Sequence, residues 1–472
     1  MSVSGHIKAM TIGGSKVTKA YFNGQLVFEE STTVVTDENS PYVKFTTEGV
    51  AFTMAKANTW DGDGLEYSTD AKTWKTYTAG ENTDAAYDSD TGQYAIYFRG
   101  SRNTALCKSG TTAPFLFGCT TVTGYNVSGN LYALLDYKTV AGGKIPDMVD
   151  YCFYHLFYNQ STLLKVDCWL NATTIPAHAY DGMFMKCSKL YRPPVLKGTT
   201  VGEYGMYQMF EECKYLENMA QTTFDYTAVA SHGMEEMFMD SGLTQAIPFA
   251  NAVSLSESAC YCMYKNCSSL QYGAEELKLT QVGDSCCAYM YSMCDQLQTA
   301  MDIVIEADTC GSYAFSNCYE SCSAMTDAGS IDMNYTDVSG ANGVFTCMYS
   351  DCTALEKLPG FFSISIANDI CTYMFTGCKS LKEVYSFMSI GRNITTVNGD
   401  INYYFYGMFV NTGIAFSDTY SSTTPNAYSL LLQNSGFSVD SSDGHVSVYF
   451  TESRMLEPLT VYYTSTDIKY AG

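Results

Sequence analysis

Tyr180-Asp181-Gly182-Met183-Phe184-Met185-Lys186-Cys187-Ser188-Lys189-Leu190 is the stretch from which the fold can be read. Its pattern is a Met-aromatic pair, two variable positions, Cys, two more, and Leu. The pattern recurs at Met209-Phe210 with Cys213 and Leu216, and at Met374-Phe375 with Cys378 and Leu381. Tyrosine stands for phenylalanine in Met263-Tyr264, Met290-Tyr291 and Met348-Tyr349, followed by Cys267 and Leu270, Cys294 and Leu297, and Cys352 and Leu355. Degenerate copies begin at Leu156-Phe157, Met237-Phe238, Ala314-Phe315 and Met408-Phe409. From Phe157 to Phe315 the aromatic positions advance by 27, 26, 28, 26, 27 and 24 residues; the later steps of 34, 26 and 34 imply insertions.

A fixed period of this length marks a stacked-repeat architecture. Tyr180, Met183, Phe184, Cys187 and Leu190 stand at i, i+3, i+4, i+7 and i+10, one face of a short helix. Short apolar stretches follow in several units, such as 243–247 before Pro248 and 355–358 before Pro359, and suit an extended rung. A unit of about 26 residues cannot bury a core alone, but stacked units bury a continuous one. The expectation is a repeat solenoid over 136–414, one short helix and one strand per unit, flanked by small β domains. Its Met, aromatic, Cys and Leu positions should form internal ladders.

The 19 cysteines follow the repeat, are odd in number and end at Cys378, so they read as small buried residues rather than a disulfide framework. The close pairs Cys260 with Cys262, Cys286 with Cys287, and Cys318 with Cys322, beside only five histidines, give little zinc signal. No metal or other cofactor is expected.

Taken with Leu170-Asn171-Ala172-Thr173-Thr174-Ile175-Pro176, the quoted stretch resembles the unit of BspA-type leucine-rich-repeat proteins. Ser241-Gly242-Leu243 and Thr412-Gly413-Ile414 depart from that unit by lacking the cysteine. The resemblance implies a leucine-rich-repeat-like solenoid with a role in adhesion or interaction. Residues 41–135 read as a β domain, with strand-like runs at 42–46, 65–67, 73–77 and 94–99. Its Leu65-Glu66-Tyr67-Ser68-Thr69-Asp70, Trp74, Tyr97-Phe98-Arg99-Gly100 and 126–130 resemble the domain that often precedes such repeats. Asp61-Gly62-Asp63-Gly64 lacks the closing Glu of a calcium loop and reads as a turn.

Two hairpin signals fill 1–30, around Gly13-Gly14 and Asn23-Gly24, and a polar linker spans 31–40. This N-terminal segment resembles those of bacteriophage tail and virion proteins and reads as an anchor. Residues 415–472 read as a C-terminal β unit, with strand-like alternation at 446–450 and 459–463.

Net charge is −23, which disfavours nucleic acid and anionic membranes. No run reaches the ~18–20 apolar residues of a membrane helix. The first residues lack the basic start and apolar centre of a secretory signal, so the expected product folds in the cytoplasm or is exported without such a signal. The resemblance to virion proteins implies assembly in the bacterial host cytoplasm onto a virion surface. No nucleophile elbow, phosphate loop or zinc-protease motif is present, and no carboxylate pair is singled out, so no enzyme is expected.

The functional expectation is therefore a virion-surface protein, a tail or capsid fibre or decoration. It would join other virion proteins through 1–30 and display the solenoid to a host cell-surface glycan or protein. A structural virion component without a receptor and a bacterial surface adhesin are the alternatives. Phage attachment proteins are often trimers, so the resemblance admits a homotrimer, although no segment encodes one. The two residues after each aromatic vary freely and fall off the presumed helix's packed face. Glu211, Glu212, Met239, Asp240, Lys265 and Asn266 are accordingly the candidate binding residues on the solvent side.

Overall fold

The fold is described from a computed structural model. It describes residues 40–381 apart from 57–63, 79–81, 105, 107–114, 120–123, 220–221, 334–335, 339, 360–361 and 365–368. Outside that span only strands within 10–29, 388–390, 437–440 and 447–450 are described. The expected polar linker at 31–39, most of the calcium-like Asp-Gly turn, the repeat copy at Met408-Phe409 and the strand at 459–463 lie outside the described residues.

Both N-terminal hairpins pair antiparallel: Met10–Ile12 with Ser15–Val17, and Lys19–Phe22 with Gln25–Glu29. Near the other end Phe437–Asp440 pairs antiparallel with Ser447–Phe450. The β domain holds a sheet in which Val43–Glu48 is central, flanked by Gln93–Gly100 and Tyr125–Gly129. Leu65–Ser68 and Lys75–Thr76 extend it on one side. A second sheet of Phe115–Cys119, Phe52–Lys56 and Asn82–Asp84 packs over it. Alternation along Val43–Glu48 points Val43 and Phe45 inward, where Phe45 meets Phe98, Phe115 and Tyr125 at ring separations of 5.3–6.0 Å. The one helix among the described residues, Ala133–Ala141, closes this layer with Leu134 and Leu135 buried.

The β domain passes into the repeats without a break in the sheet. Leu163–Asp167 pairs parallel with Tyr125–Gly129. Phe157, the first ladder aromatic, lies 6.3 Å from Phe45. One contiguous core runs from Val43 to Leu381.

The repeats form a solenoid. One wall is a parallel sheet of Thr174–Ile175, Thr200–Val201, Ala228–Val229, Val253–Leu255, Glu276–Val282, Asp302–Ile305 and Ile331–Asp332. A second wall is stitched by single parallel bridges such as Gln245 with Tyr272 and Asp327 with Lys357. These bridges lie on the segments following the repeat leucines, as the apolar stretches suggested.

The third wall corrects the expected helix. In place of an α-turn, the Met-aromatic-Cys segment is a run of tight turns with a left-handed residue every fourth position. In one unit these are His178, Gly182 and Lys186, and in the next Tyr204, Gln208 and Glu212. Backbone donors alternate along the run. Met183 and Met185 donate to the carbonyls three residues back, whereas Gly182, Phe184 and Lys186 donate to Tyr207, Met209 and Glu211 of the following unit. An α-helix would consume every N–H internally. Here half of them join neighbouring units, so the stack is hydrogen-bonded on the turn wall as well as on the strand wall.

Inside, the aromatic ladder is continuous. Phe157, Phe184, Phe210, Phe238, Tyr264, Tyr291, Tyr319, Tyr349 and Phe375 stack with centroids 5.1–5.5 Å apart and planes within 10°. All are fully buried. The ladder residue of the seventh unit is Tyr319, which corrects the sequence-based choice of Phe315. Phe315 occupies the column four residues upstream, where it stacks on Phe345 at 5.7 Å. The irregular steps of 24 and 34 thereby become 28 and 30.

The cysteine ladder is equally regular. The thiols of Cys187, Cys213, Cys267, Cys294, Cys322, Cys352 and Cys378 each donate to the carbonyl of the preceding unit's aromatic at 3.0–3.2 Å. All seven are free thiols, and burial pushes each upward, Cys378 to about 12. Where the repeat lacks its cysteine, Ser241 fills the position, its hydroxyl 3.4 Å from the Cys267 sulfur.

Candidate functional site

The turn wall places the two post-aromatic positions of successive units side by side. Glu212 donates its backbone N–H to the Met239 carbonyl, and Asp240 donates to Lys265, each at 3.0 Å. Glu211, Glu212, Met239, Asp240, Lys265 and Asn266 therefore form one patch spanning three units, although the shortest sequence gap between units is 25 residues.

The second position of each pair is left-handed: Lys186, Glu212, Asp240, Asn266 and Met293 have φ between +57° and +64°. Their side chains form the outer row and pair along it. Lys186 lies 3.5 Å from Glu212, Lys214 lies 3.2 Å from Asp240, and the Asn266 amide donates to Asp240 at 2.6 Å. The first position does not lie fully on the solvent side, contrary to the helix-based expectation. Met239 and Lys265 are half-buried, with the Lys265 ammonium 5.0 Å from the Tyr289 ring centre. Glu211 is only 6% exposed. The cause is the turn geometry: the inner position is folded under its neighbours, which a helix would have turned outward.

Glu211 is the unusual group of the patch. Its Oε2 is buried and has no hydrogen-bond partner. Burial first, then the charges of Glu236 and Glu212, raise its carboxyl to about 7, with Lys186 opposing. Glu236, on the next unit, is oriented by the Gln208 amide at 2.7 Å and the Tyr207 hydroxyl at 3.4 Å.

Beside this patch runs a feature that sequence reading missed. Tyr151, His178, Tyr204 and His232, one per unit, stack in a column with centroids 4.4–4.8 Å apart and planes within 8°. Each occupies a left-handed position, and Tyr151 is 44% exposed. His178 Nδ1 is 2.7 Å from Asp181, and His232 Nδ1 pairs with Glu235. Burial raises Asp181 to about 6, with His178 opposing. The signal was present in the sequence: an aromatic or imidazole ring stands six residues before the ladder aromatic in four consecutive units, twice with a carboxylate three residues on.

Together these rows give the first units an extended wall of rings and carboxylates fixed on a rigid backbone. Such a wall presents hydrogen-bond acceptors, flat apolar ring edges and negative charge, the equipment of recognition. Among the described residues no three His, Cys, Asp or Glu converge to hold a metal ion. Among the described residues no helix is long and apolar enough to cross a membrane. Comparison with family models, with curated proteins and with solved structures finds no match to this chain.

Proposed function

We propose that this protein is a non-enzymatic virion-surface display protein whose solenoid binds a host cell-surface glycan or protein through its turn wall. The observation that supports this most is the division of labour within each unit. Met, aromatic, Cys and Leu are buried and repeat, while the two residues after the aromatic change identity from unit to unit on a constant backbone. A scaffold whose outer row varies independently of its core suits recognition. The BspA-type leucine-rich-repeat assignment is part of the same proposal, supported by leucines at 190, 216, 243, 270, 297, 355 and 381, all buried. The N-terminal hairpins are assigned the anchoring role toward other virion proteins.

The test is attachment of the full-length protein to host cells. Replacing Glu212, Asp240, Lys265 and Asn266 together with Ser should leave the melting temperature nearly unchanged and reduce attachment by about tenfold or more. Attachment that survives these changes but disappears on removing 416–472 would transfer recognition to the C-terminal unit. Particle assembly that requires the protein, with no attachment to any host surface, would favour a purely structural component. Deleting 1–30 should abolish incorporation into the particle while leaving a folded remainder.

A further inference from the structure

We infer that the inner carboxylates of the third and fourth units, Glu211 and Glu236, form a seat for the ammonium group of a lysine side chain on a protein partner. This rests on the turn wall being the contact surface and specifies what that surface takes.

Charge accounting carries the argument. The nearby cations are already engaged: Lys186 with Glu212 and Lys214 with Asp240 on the outer row, and Lys265, the cation of the inner row, over the Tyr289 ring. Glu211 is nine-tenths buried with an unpartnered oxygen, and Glu236 is held in place by Gln208 and Tyr207. A buried carboxylate without a counter-charge is costly, and the natural relief is an incoming cation that also donates hydrogen bonds. Among the described residues the two carboxylates belong to no group of three or more His, Cys, Asp or Glu that could hold a metal ion. A primary ammonium, with three donors on a slender stem, reaches a recessed oxygen that the planar guanidinium of arginine fits less well. The half-buried Tyr207 ring beside the carboxylates adds an aromatic face suited to a cation.

The groups facing Glu211 are Lys186, Glu212, Glu236, Asp240, Tyr207 and Cys213. With Glu211 raised to about 7, the seat gains full charge only above neutrality. Binding of a cation should therefore weaken as pH falls from about 8 to about 5.5.

The full-length protein would be titrated with a short Gly/Ser peptide carrying one lysine, and with its Nε-acetylated twin. The unmodified peptide should bind and the acetylated one should bind at least about tenfold more weakly. Glu211→Gln and Glu236→Gln should each weaken binding by about tenfold. Glu276→Gln, which removes the same charge on the strand wall, should change it by less than about twofold. Equal binding of both peptides, or equal effects of all three substitutions, overturns the inference, since either reduces it to general attraction to an acidic protein. The titration needs no host cell. Attachment abolished by the outer-row substitutions, with no lysine-dependent titration, overturns this inference alone and leaves the display reading standing.

Discussion

A ladder cysteine in this solenoid is a small, fully buried hydrogen-bond donor. Its thiol reaches the carbonyl of the preceding unit's aromatic, and its sulfur fills the space between ladders. Cys294→Ala should cost on the order of 1–2 kcal/mol in denaturant unfolding, and Cys294→Ser less, because Ser241 shows that a hydroxyl is accommodated in this column. A Cys294→Val variant as stable as the natural protein would deny the thiol its role as donor. Glu211 is the opposite case, a residue that weakens the fold. Its carboxyl holds a proton more tightly in the folded than in the unfolded chain, about 7 against an ordinary 4.5. Stability from this group is therefore present at low pH and lost as pH rises across that window. Glu211→Gln should be more stable than the natural protein above neutrality, by on the order of 1–3 kcal/mol, and indistinguishable from it near pH 4.5. Melting curves at several pH values measure this directly, and a variant less stable at every pH would contradict it.

At the scale of the element, the units are turns, and the reason the sequence suggested helices is instructive. Residues at i, i+3, i+4 and i+7 share a face in an α-helix, but a backbone that returns to the same orientation every four residues groups Tyr180, Phe184 and the positions around them equally well. Side-chain pattern alone does not separate the two. The backbone demand does leave a trace: Asn159, His178, His232, Asp240, Asn266, Asn317, Asp351 and Asp369 occupy left-handed positions, which Asn, Asp and His tolerate better than most residues. Four-residue equivalence also explains the misplaced aromatic. Phe315 and Tyr319 are both inward-facing, and Cys318-Tyr319 lacks the methionine that marks other units, so only the stacking decides between them. Far-ultraviolet circular dichroism should show little helix, consistent with Ala133–Ala141 as the sole described helix; a strong helical double minimum would contradict the turn wall. Tight stacking is equally testable. A Cβ added at Gly311 would lie 2.3 Å from the Gly283 carbonyl carbon, so Gly311→Ala should destabilise by more than about 2 kcal/mol. The same substitution at Gly92, where only open space surrounds a left-handed φ, should cost about 1 kcal/mol.

At the scale of the whole molecule, the first unit is closed by the β domain rather than by a capping repeat. The parallel pairing of Leu163–Asp167 with Tyr125–Gly129 and the contact of Phe157 with Phe45 make the domain the solenoid's lid. Removing 41–129 should expose the end of the ladder and produce aggregation rather than a shortened soluble solenoid. The period, the buried columns and the flanking β segments could be read from residue spacing because each unit repeats the same packing problem. The ring column left only its spacing in the sequence and the acidic inner pair left no signal as a pair, because Tyr151 and His178, or Glu211 and Glu236, become neighbours only once units stack in register. That register is the central claim, and double-mutant cycles along the ladder test it most directly. Tyr291→Leu and Tyr319→Leu should couple by about 0.5–1.5 kcal/mol, as should Tyr319→Leu and Tyr349→Leu, whereas Phe210→Leu and Tyr349→Leu should be additive. Coupling of Tyr291 to Phe315 in place of Tyr319, or no coupling between any neighbouring pair, would contradict the stacked ladder on which the whole account stands.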